Sequence, residues 1–332
     1  MTRKIATVLL FFSCLISYAQ TLKGQVVDAV TKEPLEMVSV YFDNTTIGTT
    51  TNENGKFSID YTNAVQSTLV ISFLGYNTFY LSDYRSKTNI VVALAESTEE
   101  LDEVVINADD GMSRAEKLRW FRKEFLGNSE FGKSCKILNE KDLRFRYDKS
   151  SRTLSAWSKT PVVVKNRSLQ YEISFDIIDF EIILGNWNAQ SVIYTGTSFY
   201  RNLDEEENRK TLKNRKKAYE GSIQHFIRAI YYERLEEDGY VFGVRGLKVN
   251  PYEYFVLSDI LENETRRVVL KQKLDIFYKD TAESVIQTAE NLEFFIDKYG
   301  NYAPIPQVLF GGAMGKQRIG DLLPLDYGLS QN

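Results

Sequence analysis

The chain has 332 residues, with 45 acidic and 41 basic side chains, a formal charge of -4 and 43% hydrophobic content. Such a mildly acidic, mixed-charge surface excludes nucleic acid as an electrostatic partner, and the apolar content is enough for buried cores rather than a disordered chain. The lone histidine, His225, excludes two-histidine zinc sites and leaves any serine or cysteine triad only one possible base, so no metal or cofactor is expected.

Arg3 and Lys4, an apolar run from Ile5 to Ile16, and Ser17-Tyr18-Ala19 before Gln20 have the layout of a secretory signal peptide, with an apolar stretch too short to span a bilayer. Cleavage after Ala19 removes Arg3 and Lys4 and no acidic residue, taking the formal charge from -4 to -6. Export to the periplasm or to an outer-membrane-associated position is expected. The apolar run continues past Cys14 through Leu15 and Ile16, which argues against Cys14 as a lipidated N-terminus. Cys135 is then alone in the mature chain, which rules out an intramolecular disulfide. No later apolar run approaches about 18 residues, so no transmembrane helix is expected. The chain length after cleavage suits roughly two domains. Its oligomeric state is not legible.

Residues 20–96 read as short strands. Val38, Val40 and Phe42 alternate with Met37, Ser39 and Tyr41; Phe57, Ile59 and Tyr61 alternate with Lys56, Ser58 and Asp60. Asn52-Glu53-Asn54-Gly55 lies between them, with the backbone freedom a hairpin turn needs. Leu69, Ile71 and Phe73, then Ile90, Val92 and Leu94, complete six or seven strands without βαβ spacing, which predicts an antiparallel sandwich.

Gly24-Gln25-Val26-Val27-Asp28, Lys32-Glu33-Pro34-Leu35, Thr49 to Phe57 and Ile71-Ser72-Phe73-Leu74-Gly75-Tyr76 carry a resemblance to the carboxypeptidase-regulatory-like domain, a transthyretin-like sandwich common in exported proteins of Gram-negative envelopes. Asn52 stands where that family more often has Asp, and a turn accepts either. The resemblance implies a folded accessory module and no peptidase activity.

Residues 97–112 form a linker. In it, Leu101-Asp102-Glu103-Val104-Val105-Ile106 resembles the TonB-box segment that follows the same module in SusC-like outer-membrane receptors. Glu103, Val104, Val105 and Ile106 are the candidate partner-strand segment, since an extended β-branched stretch in a tether can add to another protein's sheet edge. The alternative is an ordinary strand ending the sandwich or opening the next domain. A 22-stranded barrel with strands of about ten residues, plus its loops, needs more chain than the residues after Ile106 supply, so a receptor of that kind is not expected.

Residues 113–332 read as an α+β domain with mainly antiparallel strands and one long helix. Ser113-Arg114-Ala115-Glu116 is a capping box, and Leu118, Phe121 and Phe125 share a face, predicting a helix over 114–126. Strands are predicted at Leu143–Tyr147, Leu154–Trp157, Val162–Val164 and Tyr171–Ile183. In the last, the apolar phase changes from Tyr171, Ile173, Phe175 and Ile177 to Ile178, Phe180 and Ile182, predicting a bulge near Ile177. A helix over roughly Asp204–Glu237 is predicted from its acidic start, basic middle and the stripe Tyr219, Ile223, Phe226, Ile227 and Ile230, with Gly221 as an internal weak point. Later strands are predicted from the alternation of Val268, Leu270, Leu274, Ile276 and Tyr278, and from Leu292, Phe294 and Ile296 before a turn at 298–301. The run from Phe310 to Gln317 fails as a phosphate loop at both ends. Ala218 to Ser222, His225-Phe226 and Asp321 to Tyr327 resemble an uncharacterised region found behind the same module in exported proteins of Bacteroidota-type envelopes, which implies no function.

Ser222, His225 and Arg228 are weak structural or site candidates. Ser222 and His225 lie three apart on one helical surface, yet no nucleophile elbow or placed acid accompanies them, and a histidine bordering the core is the default. The expected function is a non-enzymatic binding or adaptor protein of the envelope, with an envelope protein or a glycan as partner. The alternative is a carboxylate-dependent glycan-acting enzyme using acids among Asp176, Asp179 and Glu181, or a glycan-binding protein using Trp157 and Trp187.

Overall fold

The computed structural model of the protein describes residues 20–61, 67–97, 110–204, 208–279, 282–289 and 292–329. The signal-peptide stretch and the Glu103–Ile106 segment lie outside the described residues. Two compact units divide the described residues: 20–42, 47–61 and 68–97 belong to the first, and 43–46, 67 and those from 110 onward belong to the second.

The described strands of the first unit are β1 (Thr21–Asp28), β2 (Ser39–Phe42), β3 (Gly48–Thr50), β4 (Lys56–Asp60), β5 (Leu69–Ser72), β6 (Phe79–Leu81) and β7 (Asn89–Leu94). They form sheets of order β4-β1-β7 and β3-β2-β5-β6. Alternation decides which side chains share the core: Leu22 and Val26 from β1, Val40 and Phe42 from β2, and Leu69 and Ile71 from β5 are all fully buried in it. The pairing is antiparallel except between β1 and β7, the first and last strands, which run parallel. The Asn52–Gly55 turn forms, with the Asn52 side chain accepting from the amides of Asn54 (3.0 Å) and Lys56 (2.9 Å). It is not the hairpin turn predicted. β3 pairs with β2 and β4 with β1, so the turn carries the chain from one sheet to the other.

In the second unit, α1 (Arg114–Leu126) occupies the predicted range, with Ser113 Oγ accepting from Glu116 N and Glu116 Oε2 accepting from Ser113 N (3.1 Å). A single turn, α2 (Glu130–Lys133), follows. The first sheet holds β8 (Cys135–Ile137), β9 (Arg144–Asp148), β10 (Thr153–Trp157), β11 (Val162–Asn166), β12 (Tyr171–Leu184) and β13 (Ala189–Asn202). Phe121 and Phe125 of α1 pack on it, 4.7 Å from Phe180 and 5.2 Å from Phe175 between ring centroids. Burying each such ring contributes about 1.5–3 kcal/mol.

The register of β12 against β13 shifts between Ile177 and Asp179, where the bulge is predicted. Ile178 is the extra residue, 63% exposed, and the shift lets Phe175 before it and Phe180 after it face the same core. Gly196 sits opposite Ile177; a Cβ there would collide with the Asp176 carbonyl and the Phe175 ring. β13 itself is absent from the sequence reading; its burial alternation is interrupted at Ser191–Val192 and again at Thr197–Ser198.

The long helix predicted over Asp204–Glu237 is two helices, α3 (Arg209–Tyr219) and α4 (Ile223–Tyr231). Gly221 divides them with φ +74°, in the left-handed region. Asn208 caps α3 through its side chain and Ser222 caps α4. Every residue of α4 from His225 to Tyr231 is buried.

Beyond α4 come β14 (Tyr240–Val244), β15 (Leu247–Val249), β16 (Phe255–Leu257), β17 (Thr265–Leu270), β18 (Leu274–Tyr278), β19 (Ala282–Thr288), β20 (Glu293–Asp297), β21 (Tyr302–Ala303) and β22 (Val308–Gly311), then a single turn, α5 (Gly312–Gly315). The alternation from Val268 to Tyr278 divides between two sheets: β17 lies in β16-β17-β20-β21 and β18 in β15-β14-β18-β19-β22. Phe226, Ile227 and Ile230 share a core with Phe242, Val268, Ile276 and Phe294.

Candidate functional site

The α3–α4 break gathers the three candidates of the sequence. Ser222 Oγ accepts the backbone N–H of His225 at 3.1 Å, the N-cap bond of α4. Its hydroxyl therefore serves the backbone of residue 225 and not the imidazole. His225 is 9% exposed, and its Nδ1 accepts the backbone N–H of Gly221 at 3.1 Å. Since an amide N–H only donates, Nδ1 carries no proton and the ring proton is on Nε2. Tyr240 Oη also lies 3.0 Å from Nδ1. Nε2 faces Asp238 Oδ2 at 3.7 Å.

Burial pushes the His225 pKa below its ordinary value, against the opposing pull of Asp238. The imidazole is then neutral near pH 7, and the approach to Asp238 is not an ion pair in that state. The rings of Tyr219 (4.8 Å) and Tyr278 (5.6 Å) enclose it.

Arg228, one turn further along α4, is a buried strut. Its Nε donates to the carbonyl of Tyr299 (2.9 Å), Nη1 to that of Tyr327 (2.9 Å) and Nη2 to that of Leu325 (2.8 Å). These bonds tie the 325–327 segment to α4, and the guanidinium also lies 5.4 Å from the Tyr219 ring centre.

The same break forms one side of a cleft of about 580 Å³. Lys123, Glu124 and Ser129 line it from the end of α1 and the turn after it; Lys217, Glu220 and Gly221 from the end of α3; Tyr278 from β18; and Lys316, Arg318 and Asp321 from the segment after α5. Asp321 is 9% exposed and accepts from Ser129 Oγ and from the Arg318 amide (3.0 Å). Burial raises its pKa against those two hydrogen bonds. Arg318 Nη2 is 3.7 Å from Glu124, and Lys217 Nζ is 2.5 Å from Glu130. Opposite charges thus meet along the wall.

The carboxylates of the glycosidase reading stand elsewhere. Asp179 and Glu181 are exposed on β12, on the side of the sheet opposite Phe180 and Ile182, and Ser155 Oγ is 3.5 Å from Glu181 Oε1. Neither lines the cleft. Trp157, 43% exposed, ends β10, whereas Trp187, 89% exposed, lies in the turn after β12, next to the strand's other end. The four steps from Thr153 to Trp157 alone span about 13 Å, so the two indoles do not make one platform. Among the described residues, no group of three or more His, Cys, Asp or Glu side chains is placed to hold a metal ion. No described helix is long and apolar enough to cross a membrane, which says nothing of a β-barrel.

Sequence reasoning did not find Asp238, Tyr240, Ser129 or Asp321. Asp238 and Tyr240 meet His225 only because the chain turns back after α4 into β14, and Ser129 meets Asp321 across 192 positions. No local spacing signals either encounter.

No curated protein matches the chain. Residues 22–106, about a quarter of its length, match the CarboxypepD_reg-like domain family, a regulatory and non-catalytic domain. The matched range runs ten residues past the sandwich boundary read from the sequence and takes in Glu103–Ile106. With its two sheets and shared core, the N-terminal part of this chain is a CarboxypepD_reg-like β-sandwich.

Proposed function

We propose that the protein is an exported, non-catalytic binding or adaptor protein of the bacterial envelope, joining an accessory sandwich to a second unit that serves as a scaffold for recognition. The observation that carries this reading is how the reactive side chains of the α3–α4 break are engaged. Ser222 Oγ holds a helix cap, His225 Nδ1 holds the Gly221 amide, and Arg228 holds three backbone carbonyls. A serine relay needs the hydroxyl to donate to an imidazole nitrogen with a free lone pair. Further support comes from the secretory layout of residues 1–19 and from the regulatory domain at 22–106. The expected contact is Glu103–Ile106, added as a strand to a sheet edge of an envelope protein.

Expression of the full chain in a bacterial host, followed by fractionation and N-terminal sequencing, tests export. A mature start at Gln20 in the periplasmic or outer-membrane fraction supports it, and an uncleaved chain in the cytoplasm contradicts it. Screening residues 20–332 against glycoside, ester and peptide substrates tests the non-catalytic claim. Turnover abolished by Ser222→Ala or His225→Gln, both still folded, overturns it.

A further inference from the structure

We propose that His225 is an acid-sensitive latch on the cleft: protonation of its Nδ1 breaks the hydrogen bond to the Gly221 amide and loosens the Glu220–Ser222 turn that forms one side of the cleft. The argument rests on donor and acceptor roles. At Nδ1 the neutral ring has one lone pair, and Gly221 N–H points at it from 3.1 Å. The imidazolium has a proton there, so two donors would face each other. Tyr240 Oη, 3.0 Å away, is able to accept that proton; Gly221 N–H has then lost its acceptor.

The turn has little room to find another. Gly221 is at φ +74°, and a Cβ there would lie 2.7 Å from Tyr278 Cδ1, so the backbone is held against that ring. Ser222 N already bonds Tyr219 O, and Glu220 N bonds Lys216 O. Release of Gly221 N–H is therefore taken up by movement of the turn.

The groups around the ring set the pH at which this happens. Arg228 faces it from α4 itself, Tyr219 and Glu220 from the end of α3, Asp238 and Tyr240 from the approach to and start of β14, Tyr278 from the end of β18 and Lys279 from the residue after it. Desolvation is the largest influence and lowers the pKa; Asp238 and Glu220 raise it, and Lys279 and Arg228 lower it. A depressed folded value means that the unfolded chain binds the proton more readily. The stability due to neutral His225 is complete above 6.5, the ordinary value, and is lost as pH falls through the folded pKa. The latch opens in acid and is closed at neutral pH.

With only one histidine in the sequence, the measurement needs no assignment of the imidazole. Residues 20–332, carrying an affinity tag without histidine, are followed by NMR from pH 8 to pH 4. The imidazole nitrogens are expected to report Nε2–H at pH 8 and to titrate below 6.5. The Gly221 amide is expected to shift with the same midpoint, and its hydrogen-exchange protection to fall about tenfold or more. An Nδ1–H tautomer, a midpoint at or above 6.5, or a Gly221 amide indifferent to the titration overturns the proposal.

His225→Gln is expected to remove the acid-dependent change at Gly221, and its persistence overturns the proposal. Should His225→Gln fail to fold, Asp238→Asn supplies the test. Loss of the nearby negative charge is expected to move the imidazole midpoint and the Gly221 midpoint down together. Separation of the two midpoints contradicts the latch.

Discussion

Ser222 Oγ accepts the backbone N–H of His225 at 3.1 Å, across the same three-residue spacing that places a hydroxyl beside an imidazole on a helix surface. The spacing is shared by two arrangements. In a continuous helix the two side chains are neighbours; at a helix start, residue i caps the amide of i+3. Gly221, one residue before Ser222 and in the left-handed region, decides between them: α3 has ended at Tyr219, and α4 starts after Ser222.

Ser222→Ala is expected to destabilise α4 by about 1 kcal/mol, and Ser222→Asp to restore most of that by supplying another cap acceptor. Hydrogen exchange along 223–231 in the three proteins checks this. Equal protection in Ser222→Ala and wild type contradicts the cap.

Gly221→Ala meets two penalties, a left-handed φ and a Cβ 2.7 Å from the Tyr278 ring. A loss of roughly 2 kcal/mol is expected, against the small gain alanine gives inside a continuous helix. Chemical denaturation followed at the second unit measures it. Stabilisation by alanine would mean that residues 209–231 form one helix after all.

Arg228→Met removes donors from the carbonyls of Tyr299, Leu325 and Tyr327 while keeping much of the side chain's bulk. The expected cost is about 3 kcal/mol, with increased proteolysis near residues 325–329. Arg228→Lys, a point charge without the planar fork, is expected to recover less than half. Limited proteolysis with mass spectrometry reads both effects, and an unchanged cleavage pattern in Arg228→Met contradicts the strut.

The strands that show in the sequence are those with one wet face. In β4, Phe57 and Ile59 are buried between exposed Lys56, Ser58 and Asp60, and that pattern survives any partner. The bulge at Ile178 is legible for the same reason, since a core-facing strand that changes phase has to insert a residue. Which sheet a strand joins is not legible: Lys56 follows the Asn52–Gly55 turn equally well as the second arm of a hairpin or as the start of a strand in the opposite sheet. The single helix over 204–237 is a failure of another kind. The apolar stripe from Tyr219 to Ile230 carries through the break, and the cost of one glycine in a helix, about 1 kcal/mol, is too small to announce it. Ser222 and His225 are visible as a pair, but their roles depend on Gly221, Asp238 and Tyr240, which only the folded chain assembles.

Asp297 offers a test by charge. Its Oδ1 accepts from the amides of Tyr299 (2.9 Å) and Asn301 (3.0 Å), and its Oδ2 from Asn301 Nδ2 (2.7 Å). Burial raises its pKa above 3.8 in spite of these bonds. The contribution of the protonated form is complete below 3.8 and is lost as pH rises through the folded value. Asp297→Asn keeps the Oδ1 acceptor, and a flip of the Asn301 amide satisfies the rest, so it is expected within about 1 kcal/mol of wild type at pH 7. Its stability relative to wild type rises from acid to neutral pH. Asp297→Ala, which strands three donors, is expected to lose about 2–3 kcal/mol. Denaturation midpoints at pH 4 and pH 7 separate these cases, and equal losses in both variants contradict the hydrogen-bond assignment.

The proposed function is that of an envelope binding protein whose contact is Glu103–Ile106. Affinity capture from solubilised envelope, using residues 20–332 beside the same chain lacking Leu101–Ile106 and with quantification by mass spectrometry, tests it most directly. The account predicts that a defined envelope protein is enriched by the intact chain and lost with the deletion. Identical sets from both proteins, or no enrichment by either, contradict it.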